Sequence, residues 1–264
     1  MRLVAWNCNM ALHRKLAALM ALKPDIAVLS ECASPERLID RLGAGALDCE
    51  PVWIGANRDK GLAVLAFNGY RACLAHAVYR KSLRLIAPVR VEGPTSFNLL
   101  AVWAQNFSDG IRRKRQPGPL RLALTRDYPA FLGEGPAIVA GDFNNNVFWD
   151  RPGYRINHAH TVALLERYGL VSAYHHARGE AQGAETEPTL YWRDRVKDGP
   201  TYHIDYIFLP RAWAAGLREM SVGRFADWCG NGFSDHVPLV IDVAPEERGT
   251  AENTEATDTR KPRA

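Results

Sequence analysis

Residues 26–30 (IAVLS) and 137–140 (AIVA) are short apolar runs with no alternation of polar and apolar side chains. Strands of that composition are stable only when both faces are covered, so the chain must build layers on either side of them. Segments with a helical period supply the cover. Residues 11–22 (ALHRKLAALMAL) place Leu12, Leu16, Leu19 and Met20 on one face and stop at Pro24. Further helices are expected at 35–42, ending at Gly43, at 120–132, and at 158–168, closed by Gly169. Strands are expected at 2–8, 62–67, 72–79, 85–91, 97–104, 204–209 and 237–243, with turn signals such as Asn68-Gly69 and Glu92-Gly93-Pro94 between them. Mixed strands with helices outside them predict one α/β domain whose antiparallel stretches pack as two sheets.

Composition removes other broad classes. At 47 % hydrophobic and 23 % charged, the chain has enough apolar surface to offset the entropy of ordering. No apolar run approaches the roughly 18 residues that span a bilayer as a helix. The five cysteines, Cys8, Cys32, Cys49, Cys73 and Cys229, are odd in number and lack CxxC spacing, which argues against a disulfide framework or a zinc knuckle. Met1 leads directly into a strand and then to His13-Arg14-Lys15, with no apolar leader run, so the expected location is cytoplasmic. Residues 245–264 carry five acidic and four basic side chains and no Leu, Ile, Val, Met or aromatic. They are expected to form a disordered tail behind a domain of residues 1–244. The formal net charge of +4 points only weakly to an anionic partner.

The residues at the strand ends are more specific. Asn7 follows LVAW, Glu31 follows IAVLS, Asp142 and Asn144 follow AIVAG, Asp205 interrupts YHIDYIF, and Asp235-His236 precede VPLVIDV. One such residue alone is ordinarily a turn or helix cap. Yet Glu31 and Asp205 sit in segments apolar enough to be buried, where an unpaired carboxylate is costly. Strand ends also deliver side chains to a common rim. Carboxylates and amides without a cysteine cluster suit a hard cation such as Mg²⁺ or Mn²⁺ rather than zinc. A histidine beside them can move protons or stabilise a charged transition state.

Taken in order, WNCN (6–9), DIAVLSE (25–31), GDFN (141–144), HIDYIF (203–208) and SDHVP (234–238) resemble the signature blocks of the endonuclease/exonuclease/phosphatase superfamily. That group of metal-dependent phosphoesterases includes apurinic endonucleases and pancreatic-type deoxyribonucleases. The resemblance implies a four-layer α/β sandwich, two central mixed sheets flanked by helices, with a metal-dependent site at the sheet edges. It also implies roles. Glu31 matches the principal Mg²⁺ ligand, with Asn7 and Asp235 on the metal side. Asp142 matches the acid that positions or deprotonates the attacking water, and Asn144 the amide that holds the phosphate or that water. His236 matches the histidine that contacts the scissile phosphate, and Asp205 the acid that orients it. Asn106 matches an asparagine of the apurinic-type enzymes, whereas Trp103 stands where those carry tyrosine. An indole can stack or pack, but it only donates a hydrogen bond and cannot act as a phenolate.

Arg112-Arg113-Lys114-Arg115 lie in a Gly/Pro-flanked loop just after Asn106. A solvated loop is the ordinary reading of such a run; beside a site strand it can also track a nucleic-acid backbone. Asn145 and Asn146, with Phe148 and Trp149, either present a base-stacking surface or form a packed turn. His203 lies two residues before Asp205, and in a strand both would point the same way, toward the phosphate; a satisfied strand histidine is the alternative. His158 and His160 read as cap or surface residues, and His175-His176 as surface. The expected protein is a monomeric, Mg²⁺-dependent phosphodiesterase that hydrolyses nucleic acid, DNA before RNA, by in-line attack of water. A phosphatase or phosphodiesterase acting on a small molecule or lipid headgroup is the alternative within that class. A non-catalytic binding module is the alternative outside it.

Overall fold

The computed structural model describes residues 1–105, 111–112, 116–153, 157–192 and 196–245. Strands β1 (Arg2–Asn7), β2 (Ile26–Cys32), β3 (Val52–Asn57) and β4 (Lys60–Ala66) begin the first sheet. The second sheet takes β5 (Arg71–Leu74), β6 (Ile86–Glu92) and β7 (Phe97–Trp103). A ribbon of β8 (Ile111–Arg112) and β9 (Gln116–Pro117) precedes β10 (Ala137–Asp142) and β11 (Leu170–Ser172), which rejoin the second sheet. Another ribbon, β12 (Leu190–Tyr191) with β13 (Thr201–Tyr202), leads to β14 (Asp205–Pro210) of that sheet. Finally β15 (Leu217–Val222) and β16 (Leu239–Val243) return to the first. The strand orders are β15-β16-β1-β2-β4-β3 and β11-β14-β10-β7-β6-β5. Both sheets are mixed: β1 is parallel to β2 and antiparallel to β16, and β10 is parallel to β7 and antiparallel to β14.

Alternation along the strands sorts side chains into layers. Leu3 and Ala5 of β1 join Leu99, Ile138 and Ile207 in the core between the sheets. Val4 and Trp6 face outward and join Leu12, Leu19 and Leu38, which come from a 3-10 turn at Leu12–Arg14, α1 (Leu16–Ala21) and α2 (Pro35–Leu42). On the far side Leu100, Val139 and Phe208 join Leu120, Phe131 and Leu165 from α3 (Pro119–Leu122), α4 (Pro129–Gly133) and α5 (His158–Arg167). The result is the four-layer α/β sandwich, and the apolar runs at 26–30 and 137–140 lie inside it, covered on both faces.

Two expected helices are interrupted. The 11–22 run breaks at Lys15, where φ is −128°, and the buried Lys15 ammonium turns under to donate to the carbonyls of Cys8 and Phe233. Beyond the break Met20 faces solvent instead of the core. The 120–132 run passes through a π-helical turn at Ala123–Asp127 and restarts at Pro129, which lacks the N–H a continuous helix needs. Strands β3 and β15, which the sequence pattern does not predict, are sheet edges; β15 exposes Arg218 and Glu219, a common protection against edge pairing. Among the described residues no helix is long and apolar enough to cross a membrane. Residues 246–264, nearly all of the expected tail, lie outside the described residues.

Candidate active site

The inward-facing rows of the inter-sheet core end in polar residues at one rim. Asn7 continues the row of Leu3 and Ala5, Asp142 that of Ile138 and Ala140, and Asp205 begins that of Ile207 and Leu209. Asp142 and Asp205 are direct partners across the antiparallel β10–β14 pair. All are nearly inaccessible, Asn7 at 3 %, Asp142 at 1 %, Asp205 at 0 %, and His236 beside them at 5 %.

Hydrogen bonds organise this rim. Asn7 Nδ2 donates to Asp142 Oδ2 at 2.9 Å. Asn144 donates its backbone N–H to Asp142 Oδ1 at 2.8 Å and its side-chain amide to Oδ2 at 3.0 Å. His236 Nδ1 lies 2.7 Å from Asp205 Oδ2. Ligand-type atoms of Asp142, Asp205 and His236 all fall within 4.8 Å of one another. Two carboxylates so close, and out of water, do not ionise independently. Burial, reinforced by the charge of Asp205, pushes the pKa of Asp142 up to about 7. Burial opposes charge on His236, but the charge and hydrogen bond of Asp205 outweigh it and push its pKa up to about 10. His236 is therefore an imidazolium near neutral pH, with Nδ1–H donating to Asp205 and Nε2–H left for another acceptor.

The local backbone is shaped for this. Gly141 has φ +133°, and a Cβ there would run into the Val102 carbonyl of β7, so only glycine lets β10 approach so closely. Asn144 at φ +49° and Glu31 at φ +57° occupy left-handed conformations, uncommon for non-glycine residues. Thr189 Oγ1 accepts from the N–H groups of Ile204 and Asp205 at 3.0 and 3.1 Å. Ser234 Oγ accepts from His236 N–H at 3.0 Å and donates to the Asn7 carbonyl at 2.7 Å. Lys15, Thr189 and Ser234 support the site without having been singled out from sequence. Ser234 stands within SDHVP and was readable there; Thr189 and Lys15 carry no motif.

Other predicted residues stand around this centre. Glu31 is the bulge residue of β2, and Lys60 pairs with its Oε2 at 3.0 Å. Asp235 Oδ1 accepts from Asn9 Nδ2 at 3.2 Å. Trp103 is the β7 register partner of Asp142, 4 % exposed, with Lys60 Nζ 5.3 Å from its ring centre. Asn145 is buried in its loop, where its Oδ1 accepts from Asn146 N–H at 2.9 Å. Asn146 braces the loop, donating to Glu185 Oε2 and the His203 carbonyl and accepting from Phe148 N–H. Phe148 is exposed, while Trp149 packs on Tyr202. Arg112 lies in the β8 ribbon, opposite Gln116; Asn106, Arg113, Lys114 and Arg115 lie outside the described residues.

Three histidines differ from expectation. His203 does not share the strand of Asp205, because β14 begins only at Asp205. Its Nδ1 donates to the Glu187 carbonyl at 2.8 Å, its ring packs 4.3 Å from that of Tyr174, and burial pushes its pKa down. At 3 % exposure it presents no surface to a substrate. His158 is fully buried against Phe143 and Tyr206, while His160 caps α5 by accepting from Asn157 N–H. His175 is tied to Ser172 and Glu185 at 2.8 and 3.0 Å, leaving His176 on the surface.

A sequence profile of the endonuclease/exonuclease/phosphatase family matches residues 4–236, which span the first four blocks and the fifth as far as His236. The chain belongs to this family. Its members are metal-dependent phosphoesterases, so the protein is a hydrolase acting on phosphoester bonds. No curated protein matches the chain. A 3′-5′ exonuclease (NExo) from Neisseria meningitidis superposes with a TM-score of 0.64 at 16 % identity, covering 92 % of this chain and 99 % of its own. An AP endonuclease (LMAP) from Leishmania major gives 0.62 at 15 % identity, over 91 % and 86 %. An endonuclease/exonuclease/phosphatase from Beutenbergia cavernae gives 0.56 at 17 % identity, over 92 % and 71 %. At such identities the likeness is one of fold, and the family sandwich is shared along nearly the whole chain.

Proposed function

We propose that this enzyme hydrolyses phosphodiester bonds of nucleic acid, DNA before RNA, by in-line attack of water, as a cytoplasmic monomer. The opposed titration of Asp142 and His236 across one buried rim carries the reading. Asp142, held by Asn7 and Asn144, is partly ionised near neutral pH and can accept a proton from water. His236, charged and fixed by Asp205, offers Nε2–H to a phosphate oxygen where negative charge grows. The bond formed is from water oxygen to phosphorus, the bond broken is from phosphorus to the ester oxygen, and the water proton goes to Asp142.

The donor set fits a divalent cation. An imidazolium has no lone pair to give, so oxygen must supply the ligands; Glu31, with Asn7 and Asp235, would hold Mg²⁺ or Mn²⁺, both of which favour carboxylate and amide oxygens. When bound, the cation supplies Lewis-acid stabilisation of the phosphate. Nucleic acid is favoured by the basic run from Arg112 to Arg115, and a fold neighbour, a 3′ phosphatase from Neisseria, is bound to a product DNA hairpin. The test is a panel of labelled single-stranded DNA, duplex, abasic duplex, RNA and a chromogenic small diester, each with Mg²⁺, Mn²⁺ or EDTA. Cation-dependent cleavage of nucleic acid is expected. Cleavage of the small diester alone would place the substrate among small phosphoesters, and no cleavage of any member contradicts the reading.

A further inference from the structure

Between the β3–β4 hairpin and the turn before β6 runs an open groove of about 770 Å³. Lys60, Tyr79, Lys81, Arg84, Trp103 and Gln105 are among its lining residues, and none of the described residues that line it is acidic. Beside the groove, around the β3–β4 turn, two surface arginines are paired, Arg37 with Asp59 and Arg58 with Asp40. Lys81 and Arg84 are exposed and form no ion pair among the described residues. Arg84 also holds φ +56° and ψ −112°, a strained state for a side-chain-bearing residue. The groove meets the active site at two points. Lys60 joins it to Glu31, and Trp103 joins it to Asp142 through the β7–β10 register.

Cationic walls with the partly exposed rings of Tyr79 and Trp53 beside them select a ligand that has both negative charge and a flat π-face. Free phosphate has the charge without the face. A duplex has both, but its base faces are stacked inside. An unpaired nucleotide presents the two together, and the groove volume falls in the range of clefts that hold ligands of that size, roughly 300–1,000 Å³. We propose that the groove receives one or two unpaired nucleotides adjoining the scissile phosphate, so that the enzyme selects single-stranded DNA over blunt duplex. This rests on the nucleic-acid reading above and narrows its substrate class.

The test is equilibrium binding in EDTA, where no hydrolysis is expected, using a short labelled single strand and a blunt duplex of the same sequence. The single strand is expected to bind at least about tenfold tighter. Lys81→Ser/Arg84→Ser is expected to weaken single-strand binding by at least about tenfold and to flatten its salt dependence by about 1.4 in log–log slope, roughly 0.7 per phosphate contact. Arg211→Ser/Arg218→Ser removes the same charge from the end of the sandwich away from the active-site rim and should change affinity by less than about twofold. Equal affinity for the duplex, or equal losses in the two double variants, overturns the proposal. Failure of the hydrolysis panel with this binding pattern intact counts against the phosphoesterase reading alone. Cleavage of nucleic acid with the groove variant binding like the unmodified enzyme counts against the groove alone.

Discussion

Asp142 and Asp205 face each other from adjacent strands, and His236 lies against Asp205 as the counter-charge of the pair. Their titrations set the expected pH dependence. Asp142 loses its proton at about 7 and His236 keeps its own until about 10, so hydrolysis of a small diester should rise through about pH 7, hold, and fall through about pH 10. Asp205→Asn removes the charge that raises both groups; both limbs should move to lower pH, the alkaline one by at least about one unit. An alkaline limb that stays in place contradicts the role of Asp205. Stability follows the same groups. A histidine whose folded pKa exceeds its unfolded value of about 6.5 contributes fully below that value and loses its contribution as pH rises to its folded pKa. Asp142, raised from an unfolded value of about 4 to about 7, lowers stability as pH rises between those two values and adds no further slope above about pH 7, where His236 alone acts. Tm measured in EDTA should fall between pH 7 and 10, and fall less in Asp205→Asn.

Gly141 is where β10 passes closest to β7 before delivering Asp142. Gly141→Ala sets a Cβ against the Val102 carbonyl at a positive φ and is expected to cost about 2–3 kcal/mol. A urea unfolding midpoint equal to that of the unmodified protein would contradict so close an approach. Thr189→Val leaves the Ile204 and Asp205 N–H groups without their acceptor, at a cost of about 1–3 kcal/mol; unfolding curves measure it. The positions of Asn7, Asp142 and Asp205 were legible because an apolar run that stops on a polar residue marks a strand end at a rim. Strand starts were not so marked. His203 reads as part of the Asp205 strand, but Thr189, distant in sequence, takes the two amides at which β14 begins. Lys15 gives no signal in the sequence, because a lysine bonded to carbonyls of two loops leaves no periodic trace. The edge strands β3 and β15 lacked the wholly apolar pattern for the same reason that they are edges.

Across the whole molecule the net charge of +4 matters less than its placement. Lys81 and Arg84, which form no ion pair among the described residues, line the cleft that leads to Glu31 and Trp103. The carboxylates at the rim require a counter-charge before a phosphate can approach, which is the part assigned to the divalent cation. Chelation should therefore abolish turnover, and added Mg²⁺ or Mn²⁺ should restore it without refolding. The most direct test compares hydrolysis of a labelled single-stranded oligonucleotide by the unmodified enzyme and by His236→Ala, each with Mg²⁺ and with EDTA, with circular dichroism to show that both are folded. The expected result is cleavage by the unmodified enzyme with Mg²⁺ only, and turnover at least about 10²-fold slower in the variant. Cleavage that persists in EDTA, or that His236→Ala leaves unchanged, would contradict the site described.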